Sequence, residues 1–242
     1  MALVAVAAVV IGAWYRAAGP RGLASGVGLW TVAIVVKVPV ALTLISPLVA
    51  LSREKLPYGW AVTFGGLAAG LWSAACEMGT TWLAVRCWPS LAQDRRTAVA
   101  VGLGAGALEA LLLGASAALA AVAALSNLPG TEPVRSTIEE TTAVPLFWLV
   151  GPLERIQAIV CHVATRTLVL FGVVHDRPRS VWLGFALFAA LDSLAAAAKI
   201  AGATTGSTIW FVEASFVPIT VLSAIALAKH QWTRVAPATQ QR

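Results

Sequence analysis

Long apolar runs dominate the chain. They fall at about 2–15, 22–50, 60–86, 97–126, 153–174, 180–203 and 207–229. A helix crossing a hydrocarbon core of roughly 30 Å needs about 20 apolar residues, and every run except the first reaches that length. A backbone surrounded by lipid must satisfy its own hydrogen bonds, so the runs are predicted to be helices. The first run has no basic residue before it; Arg16 and Arg21 follow it instead. It is therefore expected to be a span and not a cleaved signal. Segment 127–142 is the one long polar stretch and is expected to be a loop. Segment 143–152 is apolar and ends in Gly151-Pro152. It is either a short re-entrant piece or an early start of the fifth span.

Composition agrees with this pattern. Of 242 residues, 59% are hydrophobic and 12% charged, and the mean hydropathy is +0.81. Soluble domains carry about 25% charged residues. The shortfall excludes a water-soluble enzyme, a disordered tail and a coiled coil. The expected fold is an all-α polytopic membrane protein, a single integral membrane domain over 1–242 with seven or eight transmembrane helices. The expected location is a cell membrane, specifically a prokaryotic cytoplasmic membrane crossed many times.

The net charge of +6 would suggest nucleic acid in a soluble protein. Here the excess falls in short loops, so no nucleic-acid partner is expected, and membrane lipids are. With the N-terminus outside, ten basic residues fall in inner loops or the C-terminal tail, against Arg53, Lys55 and Arg135 outside. That bias favours a cytoplasmic C-terminus. Trp14, Trp60, Trp88, Trp148, Trp182, Trp210 and Trp232 lie near run ends, as in an aromatic belt. Cys76, Cys87 and Cys161 are odd in number and irregularly spaced, which suggests neither a disulfide framework nor a zinc site. Gly66 and Gly70, then Gly102 and Gly106, have the spacing that lets helix backbones approach closely.

Candidate chemistry comes from ionisable residues inside the runs: Lys37, Glu77, Glu109, Glu154, Arg155, His162, Arg166, Asp192, Lys199 and Glu213. Each costs about 2.5–3.5 kcal/mol at the bilayer centre on insertion scales, so such residues are functional candidates by default. Counted from the cytoplasmic ends, Glu77 is about ten residues deep, and Glu109, His162 and Asp192 are about twelve. At about 1.5 Å per residue that is roughly 15–18 Å, the bilayer midplane. Four helices thus bring polar groups to one level. Arg155 and His162 are seven apart and share a helix face. Arg166 is near enough to the inner surface to snorkel. The alternative is a hydrogen-bonded clasp that only holds helices together.

Several segments resemble the YhfC-type intramembrane proteases, which are similar to type II CAAX-processing and PrsW proteases, a glutamic-type superfamily. Residues 151–174 (GPLERIQAIVCHVATRTLVLFGVV) carry an E-R-x-x-A-x-x-x-H pattern through Glu154, Arg155 and His162. Residues 66–83 resemble the family's E-E-x-G-R helix, residues 102–114 its G-x-G-H-G-x-x-E-A helix, and residues 185–197 its H-x-x-x-D helix. The resemblance implies hydrolysis of peptide bonds within the bilayer by Glu-activated water. It makes Glu77, Glu109 and His162 the catalytic candidates, with Glu154, Arg155 and Asp192 in support. Substrates would be transmembrane or lipid-modified peptides. Four positions depart from the pattern: Cys76 stands at a Glu, Thr80 at the Arg, and Ala105 and Phe188 at His positions. The readings open at this point are a divergent protease, a non-catalytic scaffold binding partner helices and a small transporter. No cofactor is expected. One imidazole with carboxylates leaves room for a divalent ion, although catalytic zinc usually takes three protein ligands at recognisable spacing.

Overall fold

The computed structural model describes residues 20–126 and 130–229, together with Val4 and Ala7. The first apolar run, 2–15, otherwise lies outside the described residues, as do Arg16 and Trp232. Helix α1 (Pro20–Val40) passes through a π-helical turn, Ala41–Ile45, into α2 (Ser46–Lys55). Next come α3 (Tyr58–Cys87), α4 (Arg95–Leu125), α5 (Glu132–Thr142), α6 (Phe147–Val174), α7 (Pro178–Ile200) and α8 (Ile209–Lys229). Among the described residues there is no strand.

Local chemistry sets several helix boundaries. Asp94 accepts a hydrogen bond from the Thr97 backbone N–H at 2.8 Å and caps the start of α4. Pro178 sits in the first turn of α7, where its missing N–H costs nothing. Pro39, Pro152 and Pro218 lie inside helices, a placement tolerated in membrane helices because neighbouring groups satisfy the freed backbone. The π-helical turn begins two residues after Pro39.

Five helical stretches are long and apolar enough to cross a membrane: Arg21–Lys55, Arg95–Leu125, Phe147–Val174, Pro178–Ile200 and Gly206–Lys229. Helix α3, with 30 residues, is long enough, but its glycines, Ser73, Thr80, Thr81 and Glu77 keep it less apolar than these five. The sequence expectation of seven spans is thus met by five stretches of the described residues. The second run also extends past residue 50 to Lys55. The stretch expected to be a polar loop contains helix α5, which starts at Glu132 with Pro133 in its first turn. It packs on α4, where Arg135 donates from Nε to the Ala124 carbonyl at 3.2 Å. Segment 143–152 proves to be an early start of the fifth span: α6 begins at Phe147, directly after Leu146 in the left-handed region (φ 58°).

Helix α6 is the hub, packing against α3, α4, α7 and α8. Glycines make this possible. A Cβ on Gly102 would lie 2.5 Å from Cα of Val163 on α6, and one on Gly70 would lie 2.1 Å from Oγ of Ser193 on α7. The two small-residue faces seen in the sequence therefore serve the α4–α6 and α3–α7 contacts. Trp60, Trp88, Trp148 and Trp182 are all exposed near helix ends, as an aromatic belt requires.

Candidate functional site

In α6, Arg155, His162 and Arg166 are separated by seven and four residues, so one helical stripe carries all three. This stripe faces α3 and α4. Close approach at Gly102 and Gly106, whose Cβ positions would meet His162 and Ile159, brings Glu109 of α4 against it. His162 Nε2 lies 2.9 Å from Glu109 Oε2. The other ring nitrogen, Nδ1, lies 3.9 Å from Glu77 Oε2 of α3. The imidazole thus stands between two carboxylates. His162 is 2% exposed and Glu77 0%, so neither group is compensated by bulk water, and their partners decide whether the arrangement is affordable.

Those partners are cations. Glu77 Oε1 pairs with Lys37 Nζ of α1 at 2.7 Å, and Glu77 Oε2 with Arg166 Nη2 at 2.9 Å. Arg166 also donates from Nη1 to the Glu77 carbonyl at 3.2 Å and to Thr81 Oγ1 at 2.5 Å. Thr81 in turn donates a hydrogen bond from its hydroxyl to the Glu77 carbonyl at 2.8 Å. On the other side, Glu109 Oε1 pairs with Arg155 Nη1 at 2.6 Å. Trp30 of α1 donates its indole N–H to Glu109 Oε2 at 3.2 Å. Arg155 holds Glu154 through Nη2.

The residues expected from sequence divide accordingly. Glu77, Glu109 and His162 meet. Arg155 joins them directly and Glu154 through Arg155. Asp192 is one step removed: its carboxylate accepts from Ser73 and lies 3.8 Å from the Lys37 ammonium, so Lys37 links it to Glu77. Arg166 corrects an expectation. It does not snorkel to the surface but is fully buried against Glu77. Nearness to the inner surface favours snorkelling only for a side chain that faces outward. The signal that would have placed it is its offset of four from His162, which puts the guanidinium on the inward stripe. Lys37 and Trp30 were given no role, although an isolated lysine in an apolar run of α1 was signal enough to ask for an anion across the interface.

The four departures also have places. Phe188 is buried with its ring edge-on to His162, centroids 5.2 Å apart. Ala105 is fully buried on α4. The arginine expected at position 80 is a threonine whose hydroxyl bonds the Glu77 carbonyl at 3.0 Å; the guanidinium that Glu77 does receive comes from Arg166 of α6. Cys76 is buried and free.

Glu77, Glu109 and His162 each offer a ligand atom, all within 4.8 Å of one another, and by distance the three could hold a metal ion. The donor types are those of zinc and related ions. The surroundings do not fit. Every oxygen of the two carboxylates already accepts from a nitrogen donor, three of the four from Lys37, Arg155 or Arg166. His162 Nε2 is engaged with Glu109, and the nitrogen without a hydrogen-bond partner among the described residues, Nδ1, faces the oxygen that Arg166 holds.

Neither the curated proteins nor the solved structures contain a match to the chain. One family model does match, across residues 1–216, a stretch that includes every residue of the buried centre. On that match, with an all-helical fold and five stretches fit to cross a membrane, the chain belongs to the YhfC intramembrane metalloprotease family.

Proposed function

We propose that the centre between α3, α4 and α6 hydrolyses peptide bonds within the bilayer, with His162 taking a proton from water. The observation that carries this is the imidazole held between Glu77 and Glu109 with Nδ1 unpartnered. An ionised carboxylate only accepts hydrogen bonds, so Glu109 fixes the proton on Nε2 and leaves the lone pair on Nδ1. Such a carboxylate–imidazole pair orients the ring and balances the charge it acquires. A water beside Nδ1 gives up its proton there, and the resulting hydroxide attacks the carbonyl carbon. The C–N bond then breaks, and the proton on Nδ1 passes to the leaving amine. Glu77 aligns the water from the far side. The Lys37 ammonium, one-quarter exposed on its side chain, is the donor placed for the developing oxyanion. Arg155 and Glu154 set Glu109, and Asp192 steadies Lys37. The family is described as metalloprotease, whereas this scheme uses only the chain's own groups, with a histidine in place of the Glu that the resemblance implies as base.

The substrates are transmembrane or lipid-modified peptides, delivered from the surrounding lipid. The chain forms one membrane unit in which α3 crosses beside the five apolar stretches. Its N-terminus is outside and its C-terminus inside a prokaryotic cytoplasmic membrane, as the distribution of basic residues favours. Purified protein in lipid vesicles, assayed on a panel of membrane-spanning and prenylated peptides, is expected to cleave. His162→Ala and Glu109→Ala should each lose at least about 10²-fold in rate, the usual scale of a lost general base. No cleavage by the wild type, or unchanged rates in these variants, defeats the proposal.

A second reading, a non-catalytic protein that binds partner helices, is favoured by Phe188 and Ala105, which put apolar groups where the resemblance expects imidazoles. It predicts no cleavage together with retention of a partner helix by the His162→Gln variant.

A further inference from the structure

The family description names a metal, but Lys37, Arg155 and Arg166 already occupy three of the four carboxylate oxygens of Glu77 and Glu109. We propose that Lys37, Arg155 and Arg166 supply, in this chain, the positive charge that a metal ion would bring to Glu77 and Glu109, so that the centre works without a bound ion. The inference concerns the charge of the site and holds whether or not the site cleaves peptides.

The argument follows from the distances. A zinc-like ion sits about 2.1 Å from a carboxylate oxygen. Lys37 Nζ is 2.7 Å from Glu77 Oε1, Arg166 Nη2 is 2.9 Å from Glu77 Oε2, and Arg155 Nη1 is 2.6 Å from Glu109 Oε1. An ion on any of these oxygens would therefore lie no more than about 5 Å from a fixed cation, in surroundings too dry to screen the repulsion. The remaining oxygen, Glu109 Oε2, accepts from His162 Nε2 and Trp30 Nε1, so an ion there would displace the hydrogen bond that orients the imidazole. Relief by side-chain movement is available at one place only. Arg166 is fully buried and tied to three acceptors, and Arg155 is buried between Glu109 and Glu154. Lys37 alone is partly exposed, with Asp192 3.8 Å away as a second anion to turn to. Lys37 is thus the cation whose removal opens a Glu77 oxygen with the least disturbance of the rest of the centre.

The test uses the full chain, purified in detergent without chelators. Metal content is measured by mass spectrometry after incubation with Zn²⁺, Mn²⁺ and Co²⁺, and Co²⁺ ligation by its visible absorption. The wild type is expected to retain no stoichiometric ion, to show no Co²⁺ band and to unfold at the same temperature with or without EDTA. Lys37→Met, which frees Glu77 Oε1, is expected to bind Co²⁺ at least about tenfold more tightly than the wild type, while Lys37→Arg stays metal-free. A single ion held by the wild type and lost in Glu77→Gln or His162→Gln overturns the proposal. So does a folded Lys37→Met protein that binds no more Co²⁺ than the wild type. None of these readouts needs a substrate. A metal-free protein that cleaves nothing would therefore sink the hydrolysis reading and leave this one standing, and an ion-dependent protease would sink this one, and the metal-free His162 scheme with it, while leaving peptide hydrolysis at the centre.

Discussion

Helix α6 and the continuous α1–α2 helix are both apolar enough to cross a membrane, yet the protein uses them in opposite ways. The more apolar of the two, α1–α2, has only 6% of its spanning window buried, whereas α6 has 72% buried. In water the greasier helix goes inside. In lipid there is no such drive, because hydrocarbon is as apolar as a leucine side chain, and packing and polar contacts decide what is central. Helix α6 is central because it carries Arg155, His162 and Arg166, which need partners, and because glycines on α4 let its backbone be approached. Helix α1 lies against lipid and contributes to the site through two side chains, Trp30 and Lys37. Helix α3 supplies the fully buried Glu77 for the same reason.

If this contrast is right, the largest effect should come from stripping a charge out of the α6 stripe. Arg166→Met leaves Glu77 with Lys37 alone and deprives the Thr81 hydroxyl and the Glu77 carbonyl of a donor. Breaking a buried pair by removing one partner costs about 3–5 kcal/mol. Unfolding in mixed detergent–SDS micelles should register a loss of that order. A change below about 1 kcal/mol would mean that the buried ion pairs break even against an apolar replacement, and that α6 is central for another reason.

The next effect is steric. Gly102→Val places a Cβ 2.5 Å from Cα of Val163 and 2.8 Å from the His162 carbonyl. Both are backbone atoms that cannot swing aside. Overpacking of this kind costs about 1–3 kcal/mol, and here it also pushes α4 away from α6, lengthening the Glu109–His162 contact of 2.9 Å. We expect cleavage to fall well beyond the stability loss. The same substitution at Gly28, whose Cβ would meet nothing within 4 Å, should be silent in both assays.

The helical nature of the chain is legible in the sequence because lipid leaves the backbone one choice along each apolar run, and depth along the runs brings Glu77, Glu109 and His162 to one level. What could not be read was direction. Depth orders residues along the membrane normal, but it says nothing of which way a side chain points around its helix. Arg166 was lost for that reason, and Lys37 because α1 is apolar all round and its neighbours do not mark an inner face. Helix α5 was missed on different grounds. Its polar sequence offers no membrane pattern, and its helical form shows only in the proline near its start and the packing of Arg135 on α4.

The smallest predicted effects test the contrast most cleanly, because one chemical change can be made on both helices. Leu170 of α6 is fully buried, while Leu42, in the turn joining α1 to α2, is 66% exposed. In a soluble protein, truncating a buried leucine to alanine loses both the transfer energy of the removed carbons and the contacts across the new cavity, about 2–5 kcal/mol together. In a bilayer the transfer term nearly vanishes, since the unfolded helix also keeps its leucine in hydrocarbon. Only the cavity term survives, so Leu170→Ala should cost about 1–2 kcal/mol. At Leu42 lipid chains fill whatever space is opened, so Leu42→Ala should stay within about 0.5 kcal/mol of the wild type. Equal losses at the two positions would show that α1–α2 is packed against protein in the membrane, and the division between a lipid-facing and a central helix would have to be redrawn.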